Sequence, residues 1–193
     1  LAAGTQSKAA VNMGVKQTGA GSSYVDLAWD AQLGAGHYHT QFSQDGKNWI
    51  DMDNSSSPSE SVYNLTQGAS YYARVVAYKG SHYTGTHVMI GVSETAIVST
   101  KPTEVSGLTQ TAAGVNSVSM SWNASAGAAS YVIYGYINYN WTQIGTSATN
   151  SATITGVAAT TSTRFSVAAV KNVTGGTVTG DQCSGCLLYT SPS

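Results

Sequence analysis

Hydrophobic and polar residues alternate in short runs along this chain, and the runs are separated by clusters of Gly, Asn, Asp, Ser and Pro. Alternation with a period of two marks a β-strand with one buried face. It predicts strands at Tyr24–Trp29, Tyr38–Phe42, Tyr71–Tyr78 and Thr95–Ser99, and again at Ser117–Trp122, Tyr131–Tyr136, Arg164–Val170 and Leu187–Thr190. Turn clusters fall at Gly34–Gly36, Gln44–Lys47, Asn54–Pro58 and Gln67–Gly68. No segment carries a sustained helical period with caps. Short strands at roughly 8–12-residue spacing with turn signals between them predict an all-β sandwich or barrel.

The pattern occurs twice. Shifting the chain by 93 positions lays Val25, Leu27 and Trp29 on Val118, Met120 and Trp122, and Ala31, Gly34, Ala35 and Tyr38 on Ala124, Gly127, Ala128 and Tyr131. Further on the offset shrinks to 92, where Val75 and Ala77 meet Val167 and Ala169, and then to 90, where Thr100 and Pro102 meet Thr190 and Pro192. Such small changes are loop-length differences between two copies of one unit, and a repeat of this length is a whole domain. Residues 1–11 are expected to be a linker or leader, 12–101 the first domain and 102–193 the second. Lys101-Pro102-Thr103 forms a short, stiff link between them. Val25, Leu27 and Trp29 alternate, so they point inward together. Trp29→Ala is expected to cost about 3–5 kcal/mol.

These residues resemble the fibronectin type III family. Its core Trp is matched by Trp29 and Trp122, and the Tyr opening its third strand by Tyr38 and Tyr131. Its later stretch is matched in the first copy by Leu65, Gly68, Tyr71, Arg74, Val75 and Ala77. The second copy departs from it, with Val157, Thr163 and Ser166 at three of these positions. The resemblance implies two tandem seven-stranded, immunoglobulin-like β-sandwiches. It implies that Tyr71 is a tyrosine-corner residue, its hydroxyl returning to the backbone near Leu65. It implies no activity, because fold and function are separable.

Composition narrows the partners. Only 9% of the 193 residues are charged and the net charge is −1, while hydrophobic residues make up 41%. The low charge argues against a nucleic-acid partner, and the hydrophobic content argues for packed cores. No apolar run reaches the roughly 18 residues of a membrane span, so membrane insertion is not expected. A low-charge, hydroxyl-rich surface suits a secreted or cell-surface protein of microbial type. Leu1 at the start and Thr190-Ser191-Pro192-Ser193 at the end predict a segment of a longer chain, whose neighbouring domains would be its first partners.

Candidate chemistry is sparse. Asp51 and Asp53 could share one face of a strand, where they could hold a cation or be a solvated edge. No phosphate loop, nucleophile elbow or His-Glu helix motif is present, and neither catalysis nor a cofactor is expected. His37 and His39 flank Tyr38, so with Tyr38 inward both point outward on one face. In the fold that the resemblance implies, His82 and His87 lie in the connection that reaches the same end of the domain. The four histidines are a candidate metal site for Zn, Cu or Ni, or scattered polar surface. Cys183-Ser-Gly-Cys186 has neither the helix start of a redox motif nor the second pair of a zinc site. With Gly185 supplying a tight turn, a local Cys183–Cys186 disulfide is the expectation.

Tyr134 and Tyr136 face away from Tyr131 and Ile133, and Tyr139 and Trp141 follow at once. Such rings could stack on a surface glycan or a protein, or pair across strands to cover the sheet. Five Asn-x-Ser/Thr sequons begin at Asn54, Asn64, Asn123, Asn140 and Asn172. The sequence therefore predicts a non-catalytic extracellular tandem module for spacing, display and weak adhesion. The alternatives are a carbohydrate-binding module and a subunit of an extracellular filament built by edge pairing.

Overall fold

A computed structural model describes residues 10–80, 82, 87–157 and 163–184, and the backbone of 187–189. The chain divides into two compact units, Leu1–Thr100 with Val173–Gly176, and Lys101–Asn172 with Thr177–Ser193.

The first unit carries β1 (Ala10–Val11), β2 (Lys16–Ala20), β3 (Val25–Ala28), β4 (His37–Ser43), β5 (Ile50–Ser55), β6 (Ser59–Val62), β7 (Ser70–Lys79), β8 (Val88–Ser93) and β9 (Ala96–Ser99). One sheet runs β2-β3-β6. The other runs β5-β4-β7-β8, with β9 on β7 and β1 at the edge of β8. β8 and β9 are two halves of one broken last strand, which leaves the seven strands of the expected sandwich plus β1. Ala10 and Val11 pair in parallel with Val92 and Ser93, so the sheet begins two residues before the start expected at 12. The Glu94 carboxylate fastens this segment, accepting from the backbone N–H of Met13 (2.9 Å) and Val15 (3.3 Å).

The second unit carries β10 (Thr109–Gly114), β11 (Ser117–Ser121), β12 (Ser130–Ile137), β13 (Asn140–Ser147), β14 (Ser151–Thr155), β15 (Thr163–Val173), β16 (Gly176–Thr179) and β17 (Leu187–Tyr189), all but the end residues Val173 and Gly176 of the β15–β16 hairpin, which group with the first. Its sheets are β10-β11-β14 and β13-β12-β15-β16, with β17 on β15.

The inward faces make one core per unit. Val25, Leu27, Trp29, Tyr38, Phe42, Val62, Leu65, Tyr71 and Val75 pack together in the first, and Val118, Met120, Trp122, Tyr131, Ile133, Phe165 and Val167 in the second. The repeat returns in three dimensions. Trp29 meets Tyr38 edge-on at 5.4 Å, and Trp122 meets Tyr131 at 5.3 Å. The Tyr38 hydroxyl accepts from Gln32 N–H and the Tyr131 hydroxyl from Ser125 N–H. The Tyr71 hydroxyl accepts from Thr66 N–H at 3.0 Å, one residue past Leu65.

The two copies solve one packing problem in opposite ways. In the first, Phe42 on β4 stands opposite Ala73 on β7. In the second, Gly135 on β12 stands opposite Phe165 on β15. The ring has changed strands while the pair keeps one large and one small partner, as a close-packed core requires.

The break in the last strand is handled by one side chain in each copy. Ser93 Oγ accepts from the backbone N–H of Val75 at 2.8 Å. At the matching place Cys183 Sγ accepts from Val167 N–H at 3.2 Å. Cys183 is thus a buried core residue that satisfies a ladder N–H. Cys186, its expected disulfide partner, lies outside the described residues.

Candidate functional site

β4 sends Tyr38 and Phe42 into the core, so His37 and His39 take the opposite face, as the alternation predicts. On that outward face His37 is nonetheless only 3% exposed. Its cover comes from the end of β7 and the β7–β8 connection. Tyr78 stacks on it at 5.2 Å, and the His82 and His87 rings stand edge-on at 5.6 and 5.3 Å. His39 meets His37 at 5.4 Å, His82 at 5.5 Å and Tyr78 at 4.9 Å. The fold therefore gathers the other three histidines of the chain around His37.

Two glycines make this approach possible. A Cβ at Gly36 would lie 2.3 Å from the carbonyl oxygen of Gly80. Gly80 itself has φ 97°, a conformation that L side chains avoid. The Gly80 carbonyl thereby reaches His37 Nδ1 at 3.0 Å. A carbonyl only accepts, so Nδ1 carries the proton and Nε2 of the neutral ring is a bare lone pair. Among the described residues the buried Nε2 atoms of His37 and His39 have no hydrogen-bond partner. A buried polar atom left in that state costs about 1–3 kcal/mol.

Burial pushes the His39 imidazole below its ordinary pKa. The Asp51 charge opposes that, and His37, His82 and His87 reinforce it. Burial also raises the Tyr78 phenol, aided by Asp51 and opposed by Arg74. A pocket of about 520 Å³ opens beside the cluster, lined by Gly36, His37, Ser55, Gly80 and His82 among others. Asp51 accepts from the Gln41 side-chain amide at 2.6 Å, and Asp53 from the N–H of Asn54. The pair is held by neighbours at a strand edge.

The aromatic set lies on the β12–β13 hairpin. Tyr136 pairs with Trp141 across the strands, their rings 5.2 Å apart and edge-on. Tyr134 is half-buried, further from the tip and opposite Gln143. The connecting residues Asn138 and Tyr139 have φ of 49° and 65°, the pattern of a type I′ turn. A tyrosine rarely adopts it, and Tyr139 is 90% exposed. The five sequon asparagines are exposed.

Sequence reasoning missed Tyr78, Gly36 and Gly80, whose parts depend on packing. It also missed the Arg74 guanidinium stacked 4.1 Å over Trp49, and an apolar cleft of about 440 Å³ among Phe42, Ile50, Met52, Leu65 and Tyr71. Alternation around Arg74 does place that residue opposite the core, but nothing in the sequence pairs it with Trp49.

No protein-family model matches the sequence, and no curated protein matches it. Solved structures do. The chain is similar to a segment of two fibronectin type III domains from chicken tenascin, with 18% identity, 91% of this chain and 97% of that one covered, and a TM-score of 0.44. It is similar to the FN1–FN3 domains of chicken CNTN1, with 14% identity, 95% and 68% covered, and a TM-score of 0.51. At such identities the second likeness speaks for the fold alone, and it agrees with the sheet order and the paired Trp–Tyr cores. The chain is a tandem of two domains with the fibronectin type III fold.

Proposed function

We propose that this chain is a non-catalytic structural and adhesive module of an extracellular protein, secreted or held at a cell surface and flanked by further domains of a longer chain. The observation that carries this reading is that each unit closes its own core around its own Trp–Tyr pair. Such units can be strung in series to space and display what lies beyond them. The carboxylates of the first unit fit it, since Asp45 ties its own turn, Asp51 holds Gln41 and Glu94 anchors the N-terminal segment. Among the described residues no helix is long and apolar enough to cross a membrane.

A second reading has its own observation. Tyr139, held exposed in a left-handed conformation beside the Tyr136–Trp141 pair, offers flat aromatic surface to a sugar ring or a protein. A glycan-array screen of the folded chain separates the two, with Trp141→Ala as control. A blank from a folded monomer is the expected result and supports the spacer. Binding that Trp141→Ala abolishes would replace the spacer by a recognition module. Polymerisation that rises with concentration would replace it by a filament subunit.

A further inference from the structure

His37, His39 and His82 each bring one ring nitrogen into a group spanning at most 4.8 Å. A tetrahedral Zn²⁺ with nitrogens at about 2.0–2.1 Å needs them about 3.3 Å apart, so each must move inward by less than about 1 Å. We propose that these three imidazoles, with His87 beside them, form a binding site for a divalent ion of the imidazole-preferring class, Zn²⁺ with Cu²⁺ and Ni²⁺ as its chemical neighbours.

Four observations converge on it. His37 is locked by the Gly80 carbonyl in the tautomer that aims a lone pair from Nε2, the arrangement that orients metal-binding histidines. The Nε2 atoms of both His37 and His39 are buried and have no hydrogen-bond partner among the described residues, a state that a metal ion relieves. The donors come from β4 and from the β7–β8 connection, so an ion would add a second tie between them beside the His37–Gly80 hydrogen bond. The pocket beside His37 and His82 is a way in. The donor set contains no carboxylate, which favours Zn²⁺, Cu²⁺ and Ni²⁺ and disfavours Ca²⁺ and Mg²⁺. Asp51, near enough to act on the charge of His39, compensates part of the ion's charge without joining the set.

The bland reading is a polar stack of four neutral rings that fills space. It accounts for the ring contacts. It does not account for a glycine pair that admits a backbone carbonyl to one nitrogen of His37 while the other is buried with nothing to accept from.

The test is calorimetric titration of the whole 193-residue chain, stripped with chelator, against Zn²⁺, with Cu²⁺, Ni²⁺, Ca²⁺ and Mg²⁺ as separate arms. One equivalent of Zn²⁺ is expected, with no response to Ca²⁺ or Mg²⁺. His39→Ala and His82→Ala should each weaken binding tenfold or more. His82 lies outside the strands, so His82→Ala keeps the ladder, and circular dichroism of both variants checks the fold. With free Zn²⁺ a hundredfold above Kd, the Tm of the first unit should rise by roughly 10–20 °C while that of the second stays put. The chain has four histidines, all in this cluster, so a variant lacking them isolates the site. No response to Zn²⁺, Cu²⁺ or Ni²⁺ overturns the proposal, and so does binding that survives unweakened without the histidines.

Discussion

The strand exchange of the core phenylalanine makes the second unit depend on one ring. Phe165 on β15 is fully buried and faces Gly135, a residue with no side chain to take over its volume. Replacing it by Ala removes a benzyl group from a core whose remaining occupants, Ile133, Trp122 and Val167, are fixed by two sheets. The lost transfer energy and the residual cavity together come to about 3–5 kcal/mol. With a urea m-value of about 1–3 kcal/mol/M, the midpoint of the second unit should fall by about 2 M. Peptide-resolved hydrogen exchange assigns each transition to its unit, and the first unit should be untouched. The double variant Gly135→Phe/Phe165→Ala rebuilds the arrangement of the first copy. A Cβ at Gly135 would meet the flexible tip of Ile144 at 3.1 Å, a side chain able to give way. The double variant should therefore be more stable than Phe165→Ala alone, a coupling between directly facing residues. A loss below about 1 kcal/mol for Phe165→Ala, or a double variant weaker than the single one, would refute the equivalence of the two pairs.

Three further perturbations follow from the hydrogen bonds. Ser93→Ala strands the buried N–H of Val75 and should cost about 1–3 kcal/mol by urea unfolding. Cys183→Ser, which keeps an acceptor for Val167 N–H, should cost less than Cys183→Ala. Asp45 accepts from the N–H of Asn48 and Lys47 and from Ser43 and Asn48 side chains, which holds its carboxyl far below the ordinary range. A depressed folded pKa contributes stability above the unfolded value of about 3.9, and that stability is lost as pH falls through the folded value. The Lys47 and Asn48 amide resonances should thus hold their neutral positions at about pH 3.5, and titration near about pH 3.9 would contradict the network.

Where burial leaves a mark on composition, the sequence was legible. All eight predicted strands coincide with observed ones, and the one-face-buried alternation that predicts them is clearest in β3, β11 and β12. Strands β1, β2, β5, β6, β8, β10, β13, β14 and β16 were missed. β5 reads Ile-Asp-Met-Asp-Asn-Ser and is mostly exposed, so its pairing with β4 comes from backbone hydrogen bonds that no side-chain pattern reports. The aromatic hairpin was half legible. Its rings were named, but the left-handed Asn138-Tyr139 turn carries none of the glycine that usually announces it.

By itself the sequence determined the β-class, the duplication, the two Trp–Tyr cores and the face of β4 that bears His37 and His39. All of these follow from local periodicity and from a repeat that can be counted. Only the tertiary structure decided that His37 is buried, that Gly36 lets the Gly80 carbonyl reach its Nδ1, and that His82 and His87 close over His37. It likewise decided that Phe42 and Phe165 fill matching places from opposite strands. These contacts join residues distant along the chain, and they depend on strand register and on the space a missing Cβ leaves. Neither is encoded in the pattern of any single segment.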